Sequence, residues 1–211
     1  MFMDYKALRQ DLLELPPREF YVKHILKSHN WYFSQYLKIK DEDIIDKMDL
    51  FKEIVSSNLK ISFHNVQIVG SAKVGYSLSS KKILRPFHDE RPDVESSDID
   101  IAVVSDKLYN HFWDMLRQQK EIYYSYNRFL YDIVTKSIFK GYIDEWTMLK
   151  IPVLGKEWRE RVNPINISLQ DNLFFMHPIT YRLYRSWEDL EDYQIYSIFR
   201  ANKTLRSEKN V

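Results

Sequence analysis

The 211-residue chain contains no cysteine, which removes disulfide staples, thiolate zinc sites, iron–sulfur clusters and a cysteine nucleophile from consideration. It also lacks an apolar run near the ~20 residues that cross a bilayer. Its start, Met1-Phe2-Met3-Asp4-Tyr5-Lys6, has no basic segment leading into an apolar stretch, so a cytoplasmic location is expected. Charge of one sign is not in excess: 31 Lys and Arg face 30 Asp and Glu, for a net charge of +1. That balance disfavours a long nucleic-acid substrate, because wide phosphate neutralisation needs surplus cations. No Gly-x-Ser-x-Gly elbow is present. The six histidines, His24, His29, His64, His88, His111 and His177, show no metal-ligand spacing. Glycine is scarce, at four residues, yet Gly70 and Gly75 lie five apart.

What is present fits an ordinary globular chain: 45% apolar and 29% charged residues, with 5 Trp, 15 Tyr and 12 Phe. Helical spacing predicts an N-terminal helical extension over 1–40, broken at Leu15-Pro16-Pro17. Asp41-Glu42-Asp43 followed by Ile44, Ile45, Met48, Phe51, Ile54 and Val55 predicts a helix ending near Ser56-Ser57-Asn58. Val66–Val69 and Asp98–Val104 read as strands, and Leu108, Phe112, Met115 and Leu116 as a helix. Residues 122–142 read as a further helix, and Pro152, Gly155 and Pro164 as punctuation of a connecting region. Ile179–Tyr184 alternates like a strand, Trp187–Phe199 returns to helical spacing, and the polar stretch 200–211 is expected to fray. Together these predict an α/β (α+β) domain over 41–200, a small mixed sheet flanked by helices, with helical additions at both termini.

The chemistry concentrates between 66 and 104. In a strand alternate residues share a face, so Asp98 and Asp100 offer two carboxylates to one side while Ile99 and Ile101 face the core. Paired carboxylates make a hard oxygen site suited to Mg²⁺, which takes one or two protein carboxylates and completes its shell with water and phosphate oxygens. Gly70-Ser71 ends the other strand, where the missing Cβ lets a phosphate approach the backbone and the hydroxyl can donate to it. Asp98 follows after a 26-residue spacer.

This pattern of apolar strand, Gly-Ser, spacer and Asp-Ile-Asp strand resembles the polymerase-beta-type nucleotidyltransferase superfamily, most closely over residues 44–119. The resemblance implies Mg²⁺ held by Asp98 and Asp100. It implies a nucleoside triphosphate, ATP in the first instance, held by Gly70, Ser71 and Lys73, with Lys81, Lys82 and Arg85 as further cations in reach of the triphosphate. It implies transfer of a nucleoside monophosphate to an acceptor, since small members modify proteins, tRNA ends or small molecules. The balanced charge directs the expectation to a protein or small-molecule acceptor, or to a toxin partner. Two departures accompany the resemblance. The spacer is long, so Gly75–Ser97 is expected to form an extended hairpin or flap. Catalytic members carry a third carboxylate on a later strand, where Ile179–Tyr184 offers Thr180, Tyr181 and Arg182; Asp132, Asp144 and Asp171 are the alternatives. Without a third ligand the fold could serve instead as a nucleotide sensor or a partner-binding module.

Two other clusters invite a reading. The aromatic series Tyr123, Tyr126, Phe129, Tyr131, Phe139, Tyr142 and Trp146 is expected to pack in the core, with base stacking as the competing use. Tyr181-Arg182-Leu183-Tyr184-Arg185-Ser186-Trp187 reads equally as a packed strand edge or a partner surface.

Overall fold

The computed structural model describes residues 4–88, 97–119 and 128–208. A four-stranded mixed sheet carries the molecule, in the order β1-β2-β4-β3: β1 (Val66–Val69), β2 (Ile99–Val104), β3 (Tyr142–Asp144) and β4 (Ile179–Tyr184). β1 is antiparallel to β2, β2 is parallel to β4, and β3 is antiparallel to β4. The α/β architecture with helical additions at both ends is therefore as expected. Helices α1 (Tyr5–Glu14) and α2 (Pro17–Phe20) are followed by π-helical turns at Tyr21–Leu26 and Tyr32–Tyr36, and then by α3 (Ile44–Leu59). A five-residue helix, α4 (Gly70–Val74), leaves β1, and α5 (Asp106–Gln118) leaves β2. Then come α6 (Arg128–Phe139), α7 (Glu145–Lys150), α8 (Pro152–Leu173) and α9 (Trp187–Glu208).

The two sheet faces have different covers. Ile99, Ile101 and Val103 with Tyr181 and Leu183 point to one side, where they pack with Phe51 and Val55 of α3, Phe112 of α5 and Trp158 and Ile165 of α8. Edge-to-face contacts link Phe112 to Trp158 and Trp158 to Tyr181, with ring centroids 5.5 and 5.7 Å apart. On the opposite face, Val69, Ala102, Val104 and Tyr184 lie under Leu190 and Tyr193 of α9. Among the described residues that cover reaches only part of the sheet, and the strand ends carrying Asp100 and Thr180 line a cleft.

Local chemistry sets the element boundaries. Lys60, at φ +56°, turns the chain out of α3 and donates its N–H to the Ser56 and Ser57 carbonyls, so the helix ends at Leu59, one residue past the expected Ser56-Ser57-Asn58. The Ser105 hydroxyl caps α5 by accepting from the Leu108 N–H at 3.2 Å. The expected connecting region is instead the 22-residue α8, where Pro152 occupies the first turn, a position that needs no N–H. Pro164 is tolerated inside α8 because Leu154, Trp158, Val162, Ile165, Leu169 and Leu173 recur at three- and four-residue intervals and are all buried.

The expected helix over 122–142 is helical at Arg128–Phe139, and after it Gly141, with φ +74°, turns the chain into the unforeseen strand β3. Residues 120–127, with Tyr123 and Tyr126, lie outside the described residues. The expected core role fails for Phe139, which is 89% exposed, and for Trp146, at 47%. Within the cluster Tyr181–Trp187, Tyr181–Tyr184 lie on a central strand with Tyr181, Leu183 and Tyr184 buried, so they are not a strand edge, while Arg185 and Trp187 beyond the strand are exposed.

The tail expected to fray is helical to Glu208. Ala201 and Leu205 are buried with Leu8 and Leu12 of α1, Phe20 and Ile25. The Asn202 amide donates to the Leu12 carbonyl at 2.6 Å and Arg206 to the Leu13 carbonyl at 2.7 Å. The N-terminal extension and the tail thus share a second core that also contains Val74 of α4. Part of the spacer forms the expected hairpin-like turn: Tyr76 bridges Pro86, the Ser77 and Leu84 N–H groups donate to the Arg85 and Ser77 carbonyls, and Leu78, Leu84 and Phe87 are buried. Residues 89–96 of the spacer lie outside the described residues. Among the described residues no helix is long and apolar enough to cross a membrane.

Candidate functional site

All four strands bring chemistry-bearing residues to one end of the sheet. β1 ends there with Val69, β2 begins there after Asp98, β4 begins there with Ile179, and β3, running opposite to β4, ends there with Asp144. The register places Asp100 between Val69 on one side and Thr180 on the other, and Arg182 opposite Asp144. Asp98, Asp100, Thr180, Arg182 and Asp144 line a cleft of about 510 Å³ with Val69, Ile101, Glu145, Trp146, Leu149 and Tyr181. Four carboxylates face one guanidinium in that lining, so the cleft's field favours a cation.

Asp98 is exposed just before β2, while Asp100 lies deeper within the strand. Burial pushes the Asp100 carboxyl above the usual carboxylate range, the Arg182 charge and the Thr180 hydroxyl oppose that rise, and the charge of Asp98 adds to it. The Thr180 hydroxyl donates to Asp100 Oδ1 at 3.1 Å. The other oxygen, Oδ2, lies against Gly70: a Cβ there would meet it at 2.5 Å, and Gly70 has φ +65°. Glycine is therefore required at 70 on two counts, the left-handed backbone and the close approach of a carboxylate. Ser71 follows at the start of α4, half-buried.

Lys73 departs from expectation. It is buried, and its ammonium donates to the Ser28 carbonyl at 2.7 Å, tying α4 to the turn between the two π-helical segments. It does not line the cleft, and burial lowers its pKa to about 8. Lys81 and Lys82 are exposed in the 76–88 turn, and Arg85 is half-buried there; none of the three lines the cleft.

Of the three alternatives for a third carboxylate, Asp132 and Asp171 are exposed on α6 and α8 and do not line the cleft. Asp144 does line it, but its Oδ1 accepts from the Thr147 N–H at 2.7 Å and caps α7. Its neighbour Glu145, which sequence reasoning missed, is also there. Its Oε1 accepts from the Trp158 indole at 2.8 Å and its Oε2 from the Tyr181 N–H at 3.3 Å. Burial raises its pKa, and the charge of Asp98 works in the same direction. The strand that would have signalled Glu145 is three residues long and follows a helix, too short to leave a period in the sequence. Among the described residues no group of three His, Cys, Asp or Glu is placed to hold a metal ion.

The donor set fits a single hard cation. The carboxylate of Asp98 just before β2 and that of Asp100 within it, the latter seated against a glycine with no Cβ to block it, meet the small protein ligand number of Mg²⁺. Arg182, also missed, completes the wall. Its guanidinium lies 4.6 Å from the Tyr193 ring centroid and 5.2 Å from that of Tyr142, and its Nε has no hydrogen-bond partner among the described residues. Burial works against its charge, yet Tyr184, Tyr193 and Asp100 outweigh burial and hold it cationic.

Comparison of the chain with known proteins finds no matching family model, no matching curated protein and no matching solved structure.

Proposed function

We propose that the chain is a Mg²⁺-dependent nucleotidyltransferase of the polymerase-beta type. It would transfer a nucleoside monophosphate from a nucleoside triphosphate, ATP in the first instance, to a protein or small-molecule acceptor. The observation that carries this reading is the contact between the two halves of the motif: Gly70, at the end of β1, lies against the carboxylate of Asp100 in β2. In the transfer an acceptor oxygen bonds the α-phosphorus as the bond to pyrophosphate breaks. Bound Mg²⁺ would neutralise the charge that accumulates on the phosphates. Asp98 and Asp100 would hold that ion, and the Thr180 hydroxyl keeps Asp100 oriented toward the cleft. The triphosphate would meet the Gly70 backbone and the Ser71 hydroxyl at the end of β1, next to Val69 of the cleft lining though neither residue lines the cleft itself, whereas Lys73 is committed to Ser28.

One observation favours a second reading, a module that binds nucleotide or a partner such as a toxin without turning over. The residue beside Asp100 on the later strand is Thr180, where a catalytic member of the superfamily would carry an acid. Turnover separates the two readings, because only the first releases pyrophosphate in a manner dependent on Asp98 and Asp100.

The direct test is thermal unfolding of the wild type and an Asp98→Ala, Asp100→Ala double variant with each of the four nucleoside triphosphates, with and without Mg²⁺. A ligand at ~100 times its Kd stabilises the fold by about 2.7 kcal/mol. A Mg²⁺-dependent rise in Tm that the variant loses supports the site; no rise with any triphosphate overturns it.

A further inference from the structure

We propose that the outer face of α9, joined to the C-terminal end of α6 and to the 76–88 turn, is a docking strip for single-stranded RNA. The inference goes beyond the cleft and does not depend on the nucleotidyltransferase reading, because none of the residues that carry it lines the cleft.

The strip begins with aromatic rings left in water. Tyr196 and Phe199, one turn apart on α9, are 53% and 50% exposed, and their rings stack at 28° with centroids 6.4 Å apart. Phe139, the last residue of α6, is the member of the expected core series that the structure leaves almost fully in solvent. Lys140 follows it and places its ammonium 5.9 Å from the Tyr196 ring centroid, so the end of α6 meets the middle of α9. Exposed aromatics gathered in this way mark an interaction surface.

Charge is segregated around those rings. The chain is balanced as a whole, yet residues 76–88, 133–143 and 196–203 contain no Asp or Glu. They contribute Lys81, Lys82, Lys140, Arg200 and Lys203, all exposed. Arg200 Nη2 donates to Ser80 Oγ at 3.2 Å, which holds the turn carrying Lys81 and Lys82 against α9. The exposed acids Glu188 and Asp192 come earlier on α9, and four further carboxylates line the cleft. The field over the strip therefore favours a polyanion.

The rings decide which polyanion fits. Phosphates pair with the ammonium and guanidinium groups while bases stack on the aromatic faces, a combination that tolerates any sequence. An acidic protein segment would satisfy the cations alone. A duplex hides its base faces, whereas single-stranded RNA presents unstacked bases to aromatic side chains.

The test titrates the full chain into a fluorescein-labelled single-stranded RNA of ~10 nucleotides and mixed sequence. Anisotropy gives Kd at several salt concentrations between about 50 and 200 mM. Neutralising roughly three to five phosphates at ~0.7 per phosphate predicts a slope of log affinity against log salt of about −2 to −4. Tyr196→Ala, Phe199→Ala should weaken binding at least about tenfold at every salt concentration and leave the slope unchanged. Lys140→Gln, Arg200→Gln, Lys203→Gln should make the slope shallower by about 2. Circular dichroism checks the fold of each variant. Should the triple variant not fold, Lys81→Gln, Lys82→Gln replaces it, with a change of about 1.4.

Both signatures together support the strip, and any result short of both overturns it, as does the absence of binding by the wild type. Displacement of the RNA by polyglutamate or by phosphatidylserine vesicles as effective as that by unlabelled RNA would reassign the surface to an acidic protein or a membrane. Tighter binding of a DNA single strand of the same sequence would likewise overturn the assignment to RNA.

Discussion

Replacing Gly70 with alanine tests the close approach on which the site depends. The new Cβ would lie 2.5 Å from Asp100 Oδ2, so the carboxylate must move, and moving it breaks the bond that Asp100 Oδ1 accepts from Thr180. Two costs combine. Holding a non-glycine residue at φ +65° costs about 1–2 kcal/mol, and losing a hydrogen bond to a charged group costs about 1.5–3 kcal/mol. The expected destabilisation is roughly 3–5 kcal/mol, which for a chain of this length lowers Tm by roughly 10 °C. The decisive measurement is a double-mutant cycle with Asp100→Ala, read by urea unfolding at constant slope m. Asp100→Ala removes the colliding oxygen and leaves the Asp100 Cβ 3.5 Å away, an ordinary contact. In that background Gly70→Ala should cost only the backbone strain of about 1–2 kcal/mol. If the substitution costs the same in both backgrounds, to within about 0.5 kcal/mol, the contact between Gly70 and Asp100 is not what makes glycine necessary.

Lys73 has a pKa lowered from 10.5 to about 8 by burial, so its folded-state charge is a penalty at neutral pH that disappears as pH rises. Relative to Lys73→Met, the wild type should gain up to roughly 3 kcal/mol of unfolding free energy between pH 8 and 10.5; a pH-independent difference in urea midpoints would refute it. Burial lowers the pKa of His24 from 6.5, and Lys23 lowers it further, against the opposing pull of the Asp11 carboxylate that the ring contacts at 2.7 Å. The unfolded chain then takes up the proton first, so the wild type should lose stability relative to His24→Gln as pH falls below 6.5, a trend that parallel urea melts would reveal or exclude. Leu205→Ala should cost about 2–4 kcal/mol in urea unfolding, because Leu205 fills the core shared by α1 and α9. A loss below about 0.5 kcal/mol would match an exposed surface site rather than a core position.

The elements read correctly from sequence are those whose signal is local and long enough to repeat. Strand β2 and helices α3 and α5 each carry a clear period or a cap, whereas the contact of Gly70 with Asp100, 30 residues on, comes from the β1–β2 register. The errors share one cause, the override of local signals by burial elsewhere. Pro164 and Gly155 look like breakers until a six-residue apolar stripe buries α8. The polar tail looks free until α1 supplies carbonyls for Asn202 and Arg206. Lys73 looks like a phosphate ligand until the Ser28 carbonyl claims it, a partner 45 residues away.

The sequence by itself determined that thiol chemistry is excluded, that the fold mixes strands and helices, and that Asp98 and Asp100 lie two residues apart where a strand begins. Those facts depend on residue identity and on the two-residue period of a strand, which any stretch of chain carries with it. Only the tertiary structure decided the neighbours of that pair. Strand order put β4 rather than β3 next to β2, which set Thr180 against Asp100, brought Arg182 into the same wall and left Glu145 bound to Trp158 and the Tyr181 backbone. Sheet register joins residues about 80 positions apart through hydrogen bonds between backbones, and no local pattern encodes which strand will lie alongside which.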